Sequence, residues 1–310
     1  MKLAVIFNGQ GSHYKDMGLD FYETFDEAKQ VIQVAEKITG YPIHSWLSNP
    51  KPLAQTKYAQ PTITATSLAI YNSIAHHLPA IAFMAGLSLG EYTSLVASGM
   101  LTLEQGLRLN KERGYIMGEV CERISQVDPK SMAAVLQVPR DVVESLVSGL
   151  EDITIANYNS KQQIIVAGTK VSINQLNSAL KDQGYKRTMP LKLEGPFHTP
   201  YMSEATKPYQ TVLKAVQFNE EDVPVISNTT LKPHTSETVK ETLVKHLTEP
   251  VRWSETIDYF VKQGVTHIVQ IGPSETLAKM IRRDKIDVKV IVIDSVEDIS
   301  KLKKLQEANE

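Results

Sequence analysis

A glycine-flanked serine, Ser88, lies in the pentapeptide Gly-Leu-Ser-Leu-Gly at residues 86–90. An apolar run at 80–85 precedes it and a segment with a helical pattern follows at 91–97. A G-x-S-x-G sequence between a strand and a helix is typical of a nucleophile elbow, in which glycines permit a very sharp turn. The serine hydroxyl would then lie at a helix N-terminus, where free N–H groups favour developing negative charge. The pattern predicts attack on an acyl carbonyl, although glycine–serine turns without a catalytic role also contain it.

A serine nucleophile needs a base to take its proton, and His198 is the strongest candidate among the eight histidines. It lies in a loop with glycine and two prolines at 194–200, where nothing else in the pattern requires an imidazole. A lone loop histidine is more often a surface residue, so it is the elbow that favours a base here. Six of the other histidines are interpreted from their sequence context. His13, His44 and His234 are assigned to polar turns, His76 and His77 to a surface pair, and His267 to the start of a strand.

An oxyanion hole requires two N–H donors about 3 Å from the developing charge. The Leu89 N–H, directly after the nucleophile, is one candidate. The turn Gly9-Gln10-Gly11 after the first strand is the other, because the carboxyl ends of parallel strands share one crevice. This turn could instead be only a tight turn or a phosphate cradle, but it lacks the glycine–lysine ending of a P-loop.

The elements that must position these residues alternate between strand and helix at both ends of the chain. Strands at 2–7, 80–85, 223–227, 267–271 and 288–293, with intervening helices such as 62–77, predict a parallel sheet with helical crossovers. Residues 132–193 have the order β-α-β-β-α-β of a ferredoxin-like unit, with its last strand at 185–193. We therefore expect a large α/β core formed by 1–127 and 195–310, and a subdomain at 128–194. The charged end, 301–310, is predicted to be solvated.

Composition and charge exclude several classes of function. The 310 residues are 42% hydrophobic and carry a net charge of −2, which gives no electrostatic case for nucleic acid or an anionic membrane. No apolar run approaches the roughly 20 residues of a membrane span, and the run at 3–7 is too short for a signal peptide. The single cysteine, Cys121, forms no internal disulfide, and we predict a cytoplasmic protein. No cysteine–histidine cluster has metal-ligand spacing, so neither a metal nor a bound cofactor is expected.

Several phrases of the sequence, taken together, resemble those of malonyl-CoA:acyl carrier protein transacylases and occur in the same order. They are Gly-Gln-Gly-Ser at 9–12, the elbow with Glu and Tyr at 86–92, Arg-Gly at 113–114 with Met117, and Gly-Pro-Phe-His-Thr at 195–199. Shorter phrases at 157–159, 227–229, 249–253 and 270–273 are also similar. The likeness begins at residue 3 and extends to the neighbourhood of residue 295. It implies an α/β-hydrolase-like parallel-sheet core that carries a ferredoxin-like subdomain.

The resemblance also implies roles for single residues. Ser88 would carry the malonyl group as an ester, and His198 would activate Ser88 and protonate the departing thiol. Gln10 and the Leu89 N–H would hold the oxyanion. Arg113 would bind the malonyl carboxylate through two hydrogen bonds, which suits a planar guanidinium better than a lysine ammonium.

Four further positions concern selectivity and the orientation of the base. Phe197 resembles the malonyl-selective members, because a bulky ring there leaves little room for an α-methyl branch. Leu87 stands where many members have histidine, and we interpret it as a substrate-binding variation beside the nucleophile. His246 stands where the family usually has glutamine, at the position whose main-chain carbonyl orients the base. His246 and Asn228 are therefore the candidates for orienting His198, and a role for the His246 side chain would put control of the tautomer in question.

These observations predict an enzyme that transfers malonyl groups from malonyl-CoA to acyl carrier protein, through a malonyl-serine and with ping-pong kinetics, for fatty acid synthesis. One alternative is an acyltransferase that serves a polyketide carrier. Another is a serine hydrolase or thioesterase; the chain lacks the Asp-Gly of a patatin-like dyad, and candidate acids for a triad fall in or beside the subdomain. A carrier-binding scaffold without activity is disfavoured because serine, histidine, glutamine and arginine are all present.

Overall fold

The computed structural model describes residues 1–186, 188–191 and 194–307. The strands in this described part are β1 (Leu3–Phe7), β2 (Ile81–Gly86), β3 (Ser131–Leu136), β4 (Ile153–Ser160), β5 (Gln163–Gly168), β6 (Met189–Leu191), β7 (His267–Ile271) and β8 (Lys289–Ile293). The α-helices are α1 (Leu19–Thr24), α2 (Asp26–Thr39), α3 (Ile43–Ser48), α4 (Thr56–Ile74), α5 (Leu89–Ala97), α6 (Leu103–Val127), α7 (Arg140–Ser148), α8 (Lys170–Asp182), α9 (Thr206–Lys214), α10 (Val239–Lys245), α11 (Trp253–Lys262), α12 (Thr276–Arg283) and α13 (Ser300–Glu307). Short 3-10 helices lie at Lys51–Ala54, Ala75–His77, Pro200–Ala205 and Val296–Ile299.

The larger sheet is parallel and has the strand order β2-β1-β7-β8. All five residues of β1 are buried, as expected for a strand covered by helices on both faces. Leu3, Val5 and Phe7 pack into the cluster that includes α2, α4 and α6, whereas Ala4 and Ile6 pack against α11 and α12. Phe7 pairs with Gly86 on one side and with Ile271 on the other, so the turns after β1, β2 and β7 meet at one edge of the sheet.

The smaller sheet is antiparallel and has the strand order β4-β5-β3-β6, with α7 and α8 packed on one face. This is the ferredoxin-like arrangement, and its strands fall within the predicted insertion. Its other face contributes Met132, Ala134 and Ile165 to the main core cluster. Two backbone hydrogen bonds attach it to the core: Val251 N–H to Ala156 O at 2.9 Å, and Tyr158 N–H to Val251 O at 2.8 Å. The molecule thus has an α/β-hydrolase-like core with a ferredoxin-like sheet joined to it.

Several predicted elements need correction. The helix expected at 62–77 begins at Thr56 and ends at Ile74; its first turns bury Thr56 and Gln60, which a search for apolar residues overlooks. The strand expected at 223–227 is reduced to two isolated bridges, one between Val225 and Met84 and one between Ile226 and Pro233. The strand expected at 185–193 is observed as the three residues of β6, and 187, 192 and 193 lie outside the described residues.

The end of the chain also differs from expectation. Within the described residues up to 307, α13 buries Leu302 and Leu305, so this segment packs on the core although lysines surround the two leucines. Residues 308–310 of the predicted solvated tail lie outside the described residues. In the part of the chain that is described, no helix combines the length and the apolar character that a bilayer crossing requires.

Candidate active site

Ser88 occupies the turn between β2 and α5 in a strained backbone conformation, with φ 53° and ψ −100°. The flanking glycines are sterically required. A Cβ on Gly86 would lie 2.0 Å from the carbonyl carbon of Gly90, and a Cβ on Gly90 would lie 2.2 Å from the Phe7 oxygen. The turn therefore forms only because both positions lack a side chain, and it places Ser88 at the N-terminus of α5, directly over the end of β1.

The structure brings Ser88 and His198 together across 110 residues of sequence. Ser88 Oγ lies 2.6 Å from His198 Nε2, and His198 Nδ1 lies 2.7 Å from the main-chain oxygen of His246. Because a carbonyl only accepts, Nδ1 carries the proton, and Nε2 is left to accept the serine proton. His198 is buried and has a φ of 61°, so the fixed loop holds the ring in this orientation.

His198 is neutral in this environment. Burial lowers its pKa to about 3, the Arg113 guanidinium acts in the same direction, and the hydrogen bond to the His246 carbonyl opposes both. A neutral imidazole at physiological pH is the form that a general base requires.

Arg113 extends from the middle of α6 into the same space and is 1% exposed. Its Nη1 donates to Gln60 Oε1 at 2.8 Å, and its guanidinium lies 4.8 Å from the centre of the Tyr92 ring. Nε and Nη2, the other edge of the guanidinium, have no hydrogen-bond partner in the described part of the chain. A buried cation with an unpaired edge is unfavourable by itself and is suited to a carboxylate that accepts two parallel hydrogen bonds.

One cavity of about 70 Å³ collects the predicted residues. Its walls include six of them, Gln10, Leu87, Ser88, Arg113, Phe197 and His198, together with four that the sequence analysis did not assign, Gln60, Met117, Met132 and Asn157. An adjoining cavity of about 370 Å³ shares Gln10, Leu87, Met132 and Asn157 with it and continues between the two sheets. Of the four unassigned residues, Asn157 and Met117 already belonged to phrases that carry the family resemblance.

The predicted oxyanion donors lie at the ends of neighbouring strands. Leu89 is the first residue of α5, a position whose N–H has no partner within its own helix. The Gln10 side chain donates one of its amide hydrogens to Thr56 Oγ1 at 2.9 Å, while the residue lines the cavity. A Cβ on Gly9 would lie 2.4 Å from the Leu87 oxygen, so this turn packs directly on the elbow.

His246 and Asn228, the two candidates for orienting the base, make different contacts. His246 contributes its carbonyl, as described above, whereas its ring is buried without a hydrogen-bond partner among the described residues. Burial lowers the pKa of His246 well below its usual value, and the Arg113 guanidinium acts in the same direction. The Asn228 side chain does not orient the base, and that prediction is corrected: both of its hydrogen bonds go to the elbow backbone, and it accepts from the Ser88 N–H at 2.7 Å.

Two charged or titratable residues near the elbow were missed or misinterpreted. His234, interpreted as a residue of a polar turn, is buried and its Nε2 lies 2.7 Å from Glu91 Oε1. Glu91, in the first turn of α5, is itself fully buried. Glu91 already belonged to the family phrase at 86–92, directly after the elbow glycine, but nothing in the sequence indicated that His234 is its partner. No group of three or more histidine, cysteine, aspartate or glutamate side chains suited to a metal occurs in the residues that the structure describes.

Comparisons with known proteins show the family to which the chain is similar. The sequence model of the acyl transferase domain family matches residues 5–303. A malonyl CoA-acyl carrier protein transacylase of Bacillus subtilis is 31% identical over an alignment of 317 positions, which covers 100% of this chain and 99% of that protein. The crystal structure of a Streptococcus pneumoniae protein of the same type is 34% identical, with a TM-score of 0.91 over 98% of this chain and 100% of the other. A malonyl transacylase solved in complex with a type II polyketide acyl carrier protein is 27% identical, with a TM-score of 0.91 and the same coverage.

Proposed function

This chain belongs to the malonyl-CoA:acyl carrier protein transacylase family of acyl transferases, and we propose that it transfers the malonyl group of malonyl-CoA to the phosphopantetheine thiol of acyl carrier protein. The observation that carries the proposal is the unpaired edge of Arg113 beside the Ser88–His198 pair. A neutral acyl group would leave this edge of the buried cation without a countercharge, whereas the malonyl carboxylate pairs with it. The positive charge of Arg113 therefore supports an acyl substrate that carries a carboxylate.

The loading step is an attack of Ser88 Oγ on the thioester carbonyl, with transfer of the serine proton to His198 Nε2. The Leu89 N–H and Gln10 stabilise the resulting oxyanion. The carbon–sulfur bond then breaks, and the proton moves from Nε2 to the sulfur of CoA. The malonyl group remains on Ser88 as an ester, and its free carboxylate is held by Arg113.

The second step is the same chemistry in reverse, with a different thiol. The phosphopantetheine thiol gives its proton to His198 Nε2 and its sulfur attacks the malonyl ester. The bond between Ser88 Oγ and the acyl carbon breaks, and Ser88 Oγ recovers the proton from Nε2. Both thiols end the same phosphopantetheine arm, and we place that arm in the 370 Å³ cavity that adjoins the site. The proposed reaction uses no resident metal or cofactor, since malonyl-CoA is a substrate.

The product would supply fatty acid synthesis, and Phe197 in the cavity wall would favour malonate over branched acyl groups. The likeness to a transacylase in complex with a type II polyketide carrier favours a second candidate, service of a polyketide carrier. We place the enzyme in the cytoplasm, which suits a chain whose one cysteine is buried as a thiol.

Mass spectrometry of the intact protein after mixing with malonyl-CoA tests the proposal. The wild-type chain should gain one malonyl group and lose it when a carrier protein bearing phosphopantetheine is added. Ser88→Ala should gain none, while Ser98→Ala, a change of the same size at the far end of α5, should load normally. Loading of Ser88→Ala at another residue would contradict the assignment, and discharge to water at the rate of discharge to the carrier would favour a thioesterase. Fatty acid and polyketide carriers, compared as acceptors, separate the two candidate functions.

A further inference from the structure

The strained turn at Ser88 is held from behind by one side chain. Asn228 Oδ1 accepts from the Ser88 N–H at 2.7 Å, and Asn228 Nδ2 donates to the Gly86 oxygen at 2.9 Å. The same amide thus binds the last residue of β2 and the nucleophile two residues later. A residue in a sparsely populated backbone conformation persists only where its surroundings over-determine it, and these two bonds do so at the elbow.

Asn228 is in turn fixed by a buried carboxylate. Glu91 Oε2 accepts from the Asn228 N–H at 2.9 Å, and Glu91 Oε1 lies 2.7 Å from His234 Nε2. Glu91, Asn228 and His234 are all 2% exposed or less. Buried polar groups of this kind are tolerated only when they are hydrogen-bonded, and a chain of such bonds specifies one geometry.

The segment that carries Asn228 and His234 is anchored to the same strand that ends in the elbow. The Ile226 N–H donates to Met84 O of β2, and the Met84 N–H donates to Pro224 O, each at 2.9 Å. The segment then folds back on itself, with the His234 N–H donating to Val225 O at 2.9 Å. The 225–234 segment therefore contacts β2, the elbow and the first turn of α5, and it holds these three elements together.

We infer that Glu91, Asn228 and His234 form a brace that holds Ser88 in its attacking position, and that they act as positioning residues for the acyl transfer proposed above. In the described part of the chain, none of the three lines the cavity beside Ser88 or the adjoining one. Asn228 binds the Ser88 backbone directly, and the effect of the brace on the reaction passes through that backbone. Glu91 Oε2 also lies 3.8 Å from Nε2 of His246, the residue whose carbonyl orients His198. Misplacement of a reacting atom by about 1 Å can reduce the rate about 10²-fold, which sets the size of the expected effect.

A comparison of Glu91→Leu with Glu91→Gln tests the brace. Glutamine keeps an oxygen for the Asn228 N–H, and its amide can donate to His234 Nε2 when that ring carries its proton on Nδ1. Leucine has a similar size but makes neither bond. We expect Glu91→Leu to lose about 10²-fold in kcat for malonyl transfer with little change in KM, since Arg113 and the cavity walls are untouched. Glu91→Gln should lose less than about fivefold, the effect of weakening one hydrogen bond.

The rate at which a fluorophosphonate labels Ser88 gives a readout that is independent of malonyl-CoA. It should fall with kcat in Glu91→Leu and recover in Glu91→Gln, even if the natural acyl group were different from malonate. The brace would be wrong if folded Glu91→Leu kept wild-type labelling and kcat, or if both variants lost the two equally. Should Glu91→Leu fail to fold, His234→Leu against His234→Gln applies the same test to the outer end of the brace. A wild type that is labelled quickly but takes no malonyl group would refute the proposed function alone.

Discussion

The two faces of the Ser88 turn differ in how their buried polar groups are paired. On the face toward the 225–234 segment, both oxygens of Glu91 and both polar atoms of the Asn228 side chain have partners at 2.7–2.9 Å. Among the side chains of Glu91, Asn228 and His234, only Nδ1 of His234 has no hydrogen-bond partner within the described residues. On the cavity face, Arg113 keeps two nitrogens without a partner among the described residues. The paired face fixes the nucleophile before a substrate arrives, and the unpaired face is completed by the substrate.

This difference separates residues that recognise the acyl group from residues that hold the scaffold, although both are buried and charged or polar. Burial alone would not distinguish Arg113 from Glu91, since they are 1% and 0% exposed. The distinction is the open hydrogen-bonding capacity of each group. Substitutions on the cavity face should therefore change which acyl group is transferred, whereas substitutions on the face of Glu91 and Asn228 should change the rate at which Ser88 reacts.

Arg113→Met should produce the largest change on the cavity face. Removal of the guanidinium should lower kcat/KM for malonyl transfer by about 10²–10³-fold, because the carboxylate loses a buried, charged partner. Acetyl transfer, measured in parallel from acetyl-CoA, should fall by less than about tenfold. Arg113→Lys is the matched control, since it keeps the charge without the two parallel donors. Equal losses for malonyl and acetyl groups would remove Arg113 from the recognition of the carboxylate.

Phe197→Ser should have a smaller effect on the same face. The ring lies in the cavity wall next to His198, and its removal makes room for a methyl branch on the acyl group. The ratio of kcat/KM for methylmalonyl-CoA to that for malonyl-CoA should rise by about tenfold, as is usual for a change of one or two carbon atoms in a pocket. Phe197→Leu, which opens less space, should give an intermediate ratio. An unchanged ratio would show that selectivity is determined elsewhere.

The pH dependence of the loading step should show almost no effect of His198 near neutrality. A base must be unprotonated, so activity is lost as the pH falls through its pKa, and burial and Arg113 lower that pKa from 6.5 to about 3. From about pH 5 to 8, kcat/KM should vary by less than about twofold in stopped-flow release of CoA. In Arg113→Met one cause of the lowering is absent, and the inflection should move upward. An inflection near 6.5 in the wild type would contradict the neutral, buried base.

The sequence predicted the parts of the site that are marked by glycines at sharp turns. Glycines at 86 and 90 identified the elbow, and β7 has the bounds that the pattern predicted. The predicted partners Ser88 and His198 lie in contact, with Ser88 Oγ 2.6 Å from His198 Nε2. Their roles rested on the family resemblance as well as on the elbow.

The sequence could not reveal the pairing on either face. Gln60 holds Arg113 across 53 residues, and His234 binds Glu91 across 143. Periodicity identifies apolar faces, so it assigns a buried glutamine or histidine to a turn or to the surface. Asn228 was noticed in a family phrase, but only the coordinates show that it binds the nucleophile rather than the base. Contacts between distant polar residues are decided by the whole packing, which local spacing does not encode.

Thermal stability should distinguish the two faces most directly, although by only a few degrees. Arg113→Met removes a buried cation with an unpaired edge, so Tm should rise; the gain is reduced because Gln60 loses its partner. Glu91→Leu leaves the Asn228 N–H and His234 without their acceptor, so Tm should fall. Calorimetry of both variants, without ligand, measures the opposite shifts. If Tm fell as far in Arg113→Met as in Glu91→Leu, more than the loss of the Gln60 partner would explain, the Arg113 edge would already be satisfied in the free protein, and its open hydrogen-bonding capacity could not be the reason that the cavity accepts an anion.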